Sequence, residues 1–318
     1  MKLSPTWQGI PFEIKEDIVN FLDYKSRFCL QGCSKSDLHL VDNCPFFLEQ
    51  VEIRDNILHI KDHYGTVKIK KNIFSHFLSI FKQRRSTVKS VILSLDGAQG
   101  ANFGKILANF SFQTFKIRAK SAYFYFDGVD NFPQIFKIFD SKSISFRQII
   151  PQELLEQLVK TDTWKNAKQI FCYGRQDVPL DTVSHLDTVR YFAMTLNSED
   201  AEKLINSFTS RENLMPGFGF RVNYSSDQVA LNFPANLDNS YNFPTNAYGL
   251  NFTVKLRKSA FGNHIIEGYA CNDFQDFKKF SNFTPEDHLQ VNRRLMDQLP
   301  FLPPWGMLIR SIIFAADH

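Results

Sequence analysis

Short apolar stretches suited to β-strands recur down the middle of this chain, with helical patterns between them. They centre on Ile92, Phe124, Ile144, Ile170, Val189 and Phe218, at separations of 32, 20, 26, 19 and 29 residues. Between them, Gln152 to Lys160 places Leu154, Leu155, Leu158 and Val159 at helical spacing, and Ser198 to Ser210 does so with Ala201, Leu204, Ile205 and Phe208. A chain that alternates strand and helix in this way folds into an αβ architecture, because each element buries its apolar face on the next.

One strand plus one helix every ~20–29 residues is the rhythm of leucine-rich repeats, whose units gain a core only by stacking on their neighbours. The spacing here is uneven, and the consensus leucines and asparagine are missing. The expectation is a degenerate, leucine-rich-repeat-like αβ solenoid. Before it, Val51 with Ile53, Ile57 to Ile60 and Val67 to Ile69 read as strands, with Asp62-His63-Tyr64-Gly65 as a turn. Asn72 is the expected cap of a helix that carries Ile73, Phe74, Phe77, Leu78 and Phe81 on one face. After it, residues 223–249 are rich in Asn, Ser, Asp and Pro and read as a surface excursion. Phe252 to Leu256 and Ile265 to Tyr269 then read as a hairpin, followed by a helix from Pro285 to Leu299 with Thr284 as its cap.

The first fifty residues follow a different period. Ile10, Ile14, Ile18 and Leu22 share a helical stripe with Phe21 beside it, and Pro11 suits a helix start. Asp23 offers an N-cap to a second helix with Phe28, Leu30 and Cys33. Ser34, three residues before Asp37, offers one to a third helix with Leu38, Leu40 and Val41. The segment ends at Cys44-Pro45, since the residue before a proline avoids helical geometry. A helical unit of about 40 residues is near the lower limit for folding alone, so apolar faces beyond what its core can use imply a partner.

The remainder of the sequence offers little chemistry. Gly97, Gly100 and Gly104-Lys105 follow a strand. Gly100 and Gly104 are separated by three residues where a phosphate loop has four, and Ile106 stands where a magnesium-binding hydroxyl is needed, so the glycines read as turn residues. Cys29, Cys33, His39 and Cys44 lack the two close pairs of a structural zinc site, and Cys29 and Cys33 read as small buried thiols in a helix. No metal, cofactor or catalytic residue is expected. The formal net charge is +4, and the densest basic group is Lys68, Lys70, Lys71, Lys82, Arg84, Arg85 and Lys89. That group is weaker than a nucleic-acid stripe and reads as solvated surface. The 33 phenylalanines read as core. An odd, scattered set of five cysteines suits reduced thiols, and no apolar run reaches bilayer length, so the expected setting is cytoplasmic or nuclear, without secretion or membrane insertion.

Ile10-Pro11-Phe12-Glu13-Ile14, Ile18-Val19, Phe21-Leu22-Asp23, Ser26-Arg27, Leu30 and Cys33-Ser34-Lys35 form an ordered set that resembles the F-box, in the form found in expanded nematode F-box families. The resemblance covers roughly residues 7–50. It implies a three-helix module at 1–50 that docks on the Skp-family adaptor, and through it a cullin, in a Skp–cullin–F-box ubiquitin ligase. Ile10, Pro11, Ile14, Ile18, Leu22 and Leu30 fall on positions that make or support this contact in the family. It further implies that residues 51–318 hold a protein substrate, whose identity the sequence does not give, while other subunits perform the transfer. Two other readings stay open. One is a non-catalytic repeat scaffold in which the Ile10 stripe is buried against residues 51–90. The other is a weak nucleic-acid binder using residues 68–89.

Overall fold

The computed structural model describes residues 6–109, 115–175, 178–193, 195–224, 240–247, 249–258 and 263–272. A 3-10 turn, Trp7–Gly9, leads into three helices: α1 (Phe12–Phe21), α2 (Tyr24–Gln31) and α3 (Lys35–Asn43). The expected caps are present on α2 and α3. The Asp23 side chain accepts from the Ser26 N–H, and the Ser34 hydroxyl accepts from the Asp37 N–H. Pro11 stands one residue before its expected place, as the residue that caps α1, and α3 stops at Asn43 before Cys44-Pro45.

The rest of the described chain is built on one twelve-stranded sheet. It opens with β1 (Phe47–Arg54), β2 (Ile57–Lys61) and β3 (Thr66–Ile69), an antiparallel meander. There follow α4 (Ile73–Ile80), β4 (Thr87–Asp96), α5 (Gly97–Ala108), β5 (Ile117–Asp127), α6 (Phe132–Lys137) and β6 (Phe139–Phe146). The chain continues through α7 (Gln152–Leu158), α8 (Asp162–Lys165), β7 (Gln169–Arg175), β8 (Thr188–Ala193), α9 (Ser198–Thr209) and β9 (Gly219–Tyr224). It ends in β10 (Ser240–Pro244), β11 (Asn251–Lys258) and β12 (His264–Cys271). From β4 to β9 each strand lies parallel beside the next strand in the chain, and β1 lies parallel to β4. The β9–β12, β12–β11 and β11–β10 pairings are antiparallel.

Register explains where the core sits. Val51, Val91, Ala122, Ile144, Ile170, Val189 and Phe220 align across seven strands and are all buried. Two residues further on, Ile53, Leu93, Phe124, Phe146 and Cys172 form a second buried row. Leu48, Val88, Ala119 and Ser141 form a third, three residues before the first. The helices form a packed row on the sheet, with α4 against α5, α5 against α6, and α6 against α7 and α8. The phenylalanines fill the space between the layers. The ring of Phe124 lies 5.4, 5.5 and 4.9 Å from those of Phe132, Phe136 and Phe139, and Phe74 stacks on Phe103 at 4.7 Å.

Several expectations change. Gly97, Gly100 and Gly104 are not turn residues but lie in α5, which is opened by an Asp96–Gln99 capping box. Their missing side chains let α5 approach the segment after β5. A Cβ on Gly97 would sit 2.7 Å from the Gly128 carbonyl, and one on Gly100 or Gly104 would collide with Val129 or Asn131. Asn72 does precede α4, but in a left-handed conformation (φ 51°) without a side-chain cap bond. Of the 223–249 stretch read as a surface excursion, 225–239 and 248 lie outside the described residues; the rest holds the end of β9 and the whole of β10, an edge strand whose terminal Pro244 suits an unpaired side. Cys29 and Cys33 are exposed rather than buried, and Cys44 is buried. The helix expected at 285–299 lies outside the described residues.

Candidate docking interface

The three leading helices have a small core and a large unused apolar surface. Val19, Tyr24, Leu40 and Val41 point inward. Asp37 is the polar hub. It accepts hydrogen bonds from the Trp7 indole N–H (2.8 Å) and the Ser34 hydroxyl (2.7 Å), and these donors hold its carboxyl below the usual carboxylate range. The Lys15 ammonium lies over the Trp7 ring at 5.5 Å.

Arg27 fixes this module to the sheet. Its buried guanidinium donates to the carbonyls of Asn20 (3.1 Å), Leu22 (3.2 Å) and Pro45 (2.7 Å) and lies 4.9 Å from the Phe46 ring centre. Burial lowers its pKa, and the three carbonyls satisfy the cation. The Tyr24 N–H donates to Asp62 in the β2–β3 turn at 2.9 Å, and burial pushes the Tyr24 phenol up to about 12. The Gln83 side chain donates to the Asn43 carbonyl at 2.8 Å.

The outward faces carry Phe21, 79% exposed, Ile14 at 50% and Ile18 at 37%, together with the exposed Phe12, Phe28 and Leu38. Large apolar side chains grouped within one small module mark an interaction surface rather than scatter. Of the six residues expected at the interface, Pro11, Ile14 and Ile18 are exposed on or beside α1, and Ile10 is half-buried. Leu22 and Leu30 are half-buried and pack against the chain's own core. Phe12, Phe21, Phe28 and Leu38 are exposed but not among the six, although α2 and α3 each show apolar residues on more than one face. Ile14 and Ile18 are exposed where the scaffold reading has the stripe buried against residues 51–90, while Ile10 and Leu22 are half-buried.

Among the described residues, no group of His, Cys, Asp and Glu is arranged to hold a metal ion. No helix among them is long and apolar enough to cross a membrane.

An F-box domain family matches residues 7–49, the helices and the first residues of β1, and an FTH domain family matches residues 101–234. No curated protein and no solved structure matches the chain. The F-box is the module through which a ubiquitin ligase adaptor binds a Skp-family protein, and proteins that carry it are typically non-catalytic. An F-box match followed by an FTH match is the pairing characteristic of the expanded nematode F-box families, and the chain resembles them in both parts.

Proposed function

We propose that this chain is the substrate-receptor subunit of a Skp–cullin–F-box ubiquitin ligase. Residues 1–50 dock on the Skp-family adaptor and residues 51–318 hold the target. The observation that carries this reading is the unsheltered apolar face of Ile14, Ile18 and Phe21 inside the F-box match. An apolar centre within a polar rim is the usual anatomy of a stable interface. Pro11, Ile14 and Ile18 make the direct contact. Ile10 lies at its edge, and Leu22 and Leu30 act from behind by seating the helices. The chain itself performs no transfer; it raises the effective concentration of a target lysine near the ubiquitin carrier.

We further infer that residues 51–318 are a leucine-rich-repeat-like αβ solenoid. Chain-ordered parallel strands support this, as do the buried positions recurring at first, fourth and sixth place in Val88-Val91-Leu93, Ala119-Ala122-Phe124 and Ser141-Ile144-Phe146. The test of the receptor role is co-purification with the Skp-family adaptor. The wild-type chain is expected to bind and an Ile14→Asp/Ile18→Asp variant to fail while keeping its fold. An unbound wild-type chain overturns the proposal.

A further inference from the structure

Between the buried row at Val88 and the buried row at Val91 lie two consecutive rows that are not buried, and one of them is made of lysines. Lys89 and Lys120 stand between the paired positions Val88–Ala119 and Ser90–Ser121. Lys120 and Lys142 stand between Ala119–Ser141 and Ser121–Ser143. Lys168 joins the row by donating its backbone N–H to the Lys142 carbonyl at 2.8 Å. All four side chains are exposed. The next row continues the pattern with Ser90, Ser121, Ser143 and Gln169, so a lysine followed by a hydrogen-bonding residue repeats on four adjacent strands.

Like charges directly opposite each other across strands repel, and a fold with no use for this row would intersperse the opposite sign. Among the described residues, carboxylates stand at its ends and on one flank. Glu49 bonds Lys89 (3.4 Å) together with Lys61 and His63, and Asp187 pairs Lys168 (3.8 Å). Asp140 is paired in register with Arg118. Among the described residues, the central Lys120 and Lys142 have no carboxylate within ion-pair distance. They line an open depression of about 420 Å³ with Lys89, Arg118 and the exposed ring of Phe47, and Asp140 is the one carboxylate in that lining, against four cationic side chains.

We propose that this lysine ladder is an anion-binding surface that takes a short acidic segment of a partner protein, an inference that rests on the receptor reading above and names the chemistry of its target. Strands lie ~4.8 Å apart, so the ladder spans about 14 Å, the reach of roughly four residues of extended chain. Glu49 and Asp187 close it at both ends. A longer polyanion such as a nucleic-acid backbone would run into those carboxylates, whereas a compact cluster of Asp, Glu or phosphorylated side chains fits between them.

The experiment measures fluorescence anisotropy of a labelled peptide with a central run of glutamates, titrated with the full chain. A single-stranded oligonucleotide of equal charge serves as competitor. The wild-type chain is expected to bind the peptide, more weakly as salt rises. Lys120→Glu/Lys142→Glu is expected to lower affinity about tenfold or more. Lys70→Glu/Lys71→Glu, which changes net charge equally on exposed positions away from the ladder, is expected to leave it unchanged. Equal loss in both variants, absence of peptide binding, or tighter binding of the oligonucleotide overturns the proposal. Adaptor co-purification of the same variants keeps the two readings separate: a failed ladder leaves it intact, and a failed receptor role abolishes it in the wild-type chain.

Discussion

Truncating Ile14 and Ile18 to alanine separates docking from folding. Full burial of an isoleucine side chain is worth ~1.5–3 kcal/mol. Ile14 is 50% exposed in the free chain, so docking can shelter about half of that value, roughly 0.8–1.5 kcal/mol. Ile18, at 37%, adds about 0.6–1.1 kcal/mol. The double variant is therefore expected to bind the Skp-family adaptor about 10- to 80-fold more weakly, with a nearly unchanged melting temperature. Leu40→Ala supplies the contrast. That side chain is buried in the same module, and its removal costs about 2–5 kcal/mol of folding energy through the cavity it leaves. Calorimetric titration against purified adaptor measures the first effect, and thermal unfolding measures the second. Unchanged adaptor affinity in the double variant would refute the reasoning, as would a loss of melting temperature equal to that of Leu40→Ala.

Three further outcomes are expected. Gly100→Ala forces a methyl group into Val129 and should destabilise the chain by about 1–3 kcal/mol in urea unfolding, whereas Ala101→Gly on the exposed side of the same helix should cost no more than about 1 kcal/mol. Arg27→Ala leaves the carbonyls of Asn20, Leu22 and Pro45 without their donor and should cost about 3 kcal/mol, read as early loss of the helical signal on heating. Asp37 has a folded pKa below its unfolded value, so its contribution is complete above the unfolded carboxylate pKa of about 3.9 and is lost as pH falls through the lower folded value. Asp37→Asn should flatten that acid limb of the stability curve, and an identical limb in the variant would contradict the assignment.

Much of this architecture was legible because its signals are local in the sequence. The caps Asp23 and Ser34, the stop at Cys44-Pro45 and the turn at Asp62 to Gly65 all depend on residues within a few positions of one another. The exposure of Ile14 and Ile18 followed from a stripe too wide for a small core. Other features depend on distant partners. The α5 glycines resemble a loop until Val129 and Asn131 are known to lie against them. The edge pairing of β10 with β11 depends on neighbours that no local pattern reveals. The lysine ladder was invisible for the same reason: its members are 31, 22 and 26 residues apart, and the densest basic run in the sequence supplies only Lys89.

The junction between the helices and the sheet is what makes a receptor role physically economical. A tether of flexible residues would let the docking face wander, and the effective concentration of a held target near the ligase would fall with the volume explored. Here only Cys44-Pro45-Phe46 separates α3 from β1. That short link is pinned from several directions: Arg27 holds the Pro45 carbonyl, and the Phe46 N–H donates to the Ser86 hydroxyl at 2.9 Å. Tyr24 and Gln83 tie the helices to the β2–β3 turn and to the loop before β4. The lysine ladder begins at Lys89, on the strand that pairs with β1. An acidic segment seated there would therefore be held at a fixed distance and angle from the face that meets the adaptor, with the parallel strands as the rigid spacer.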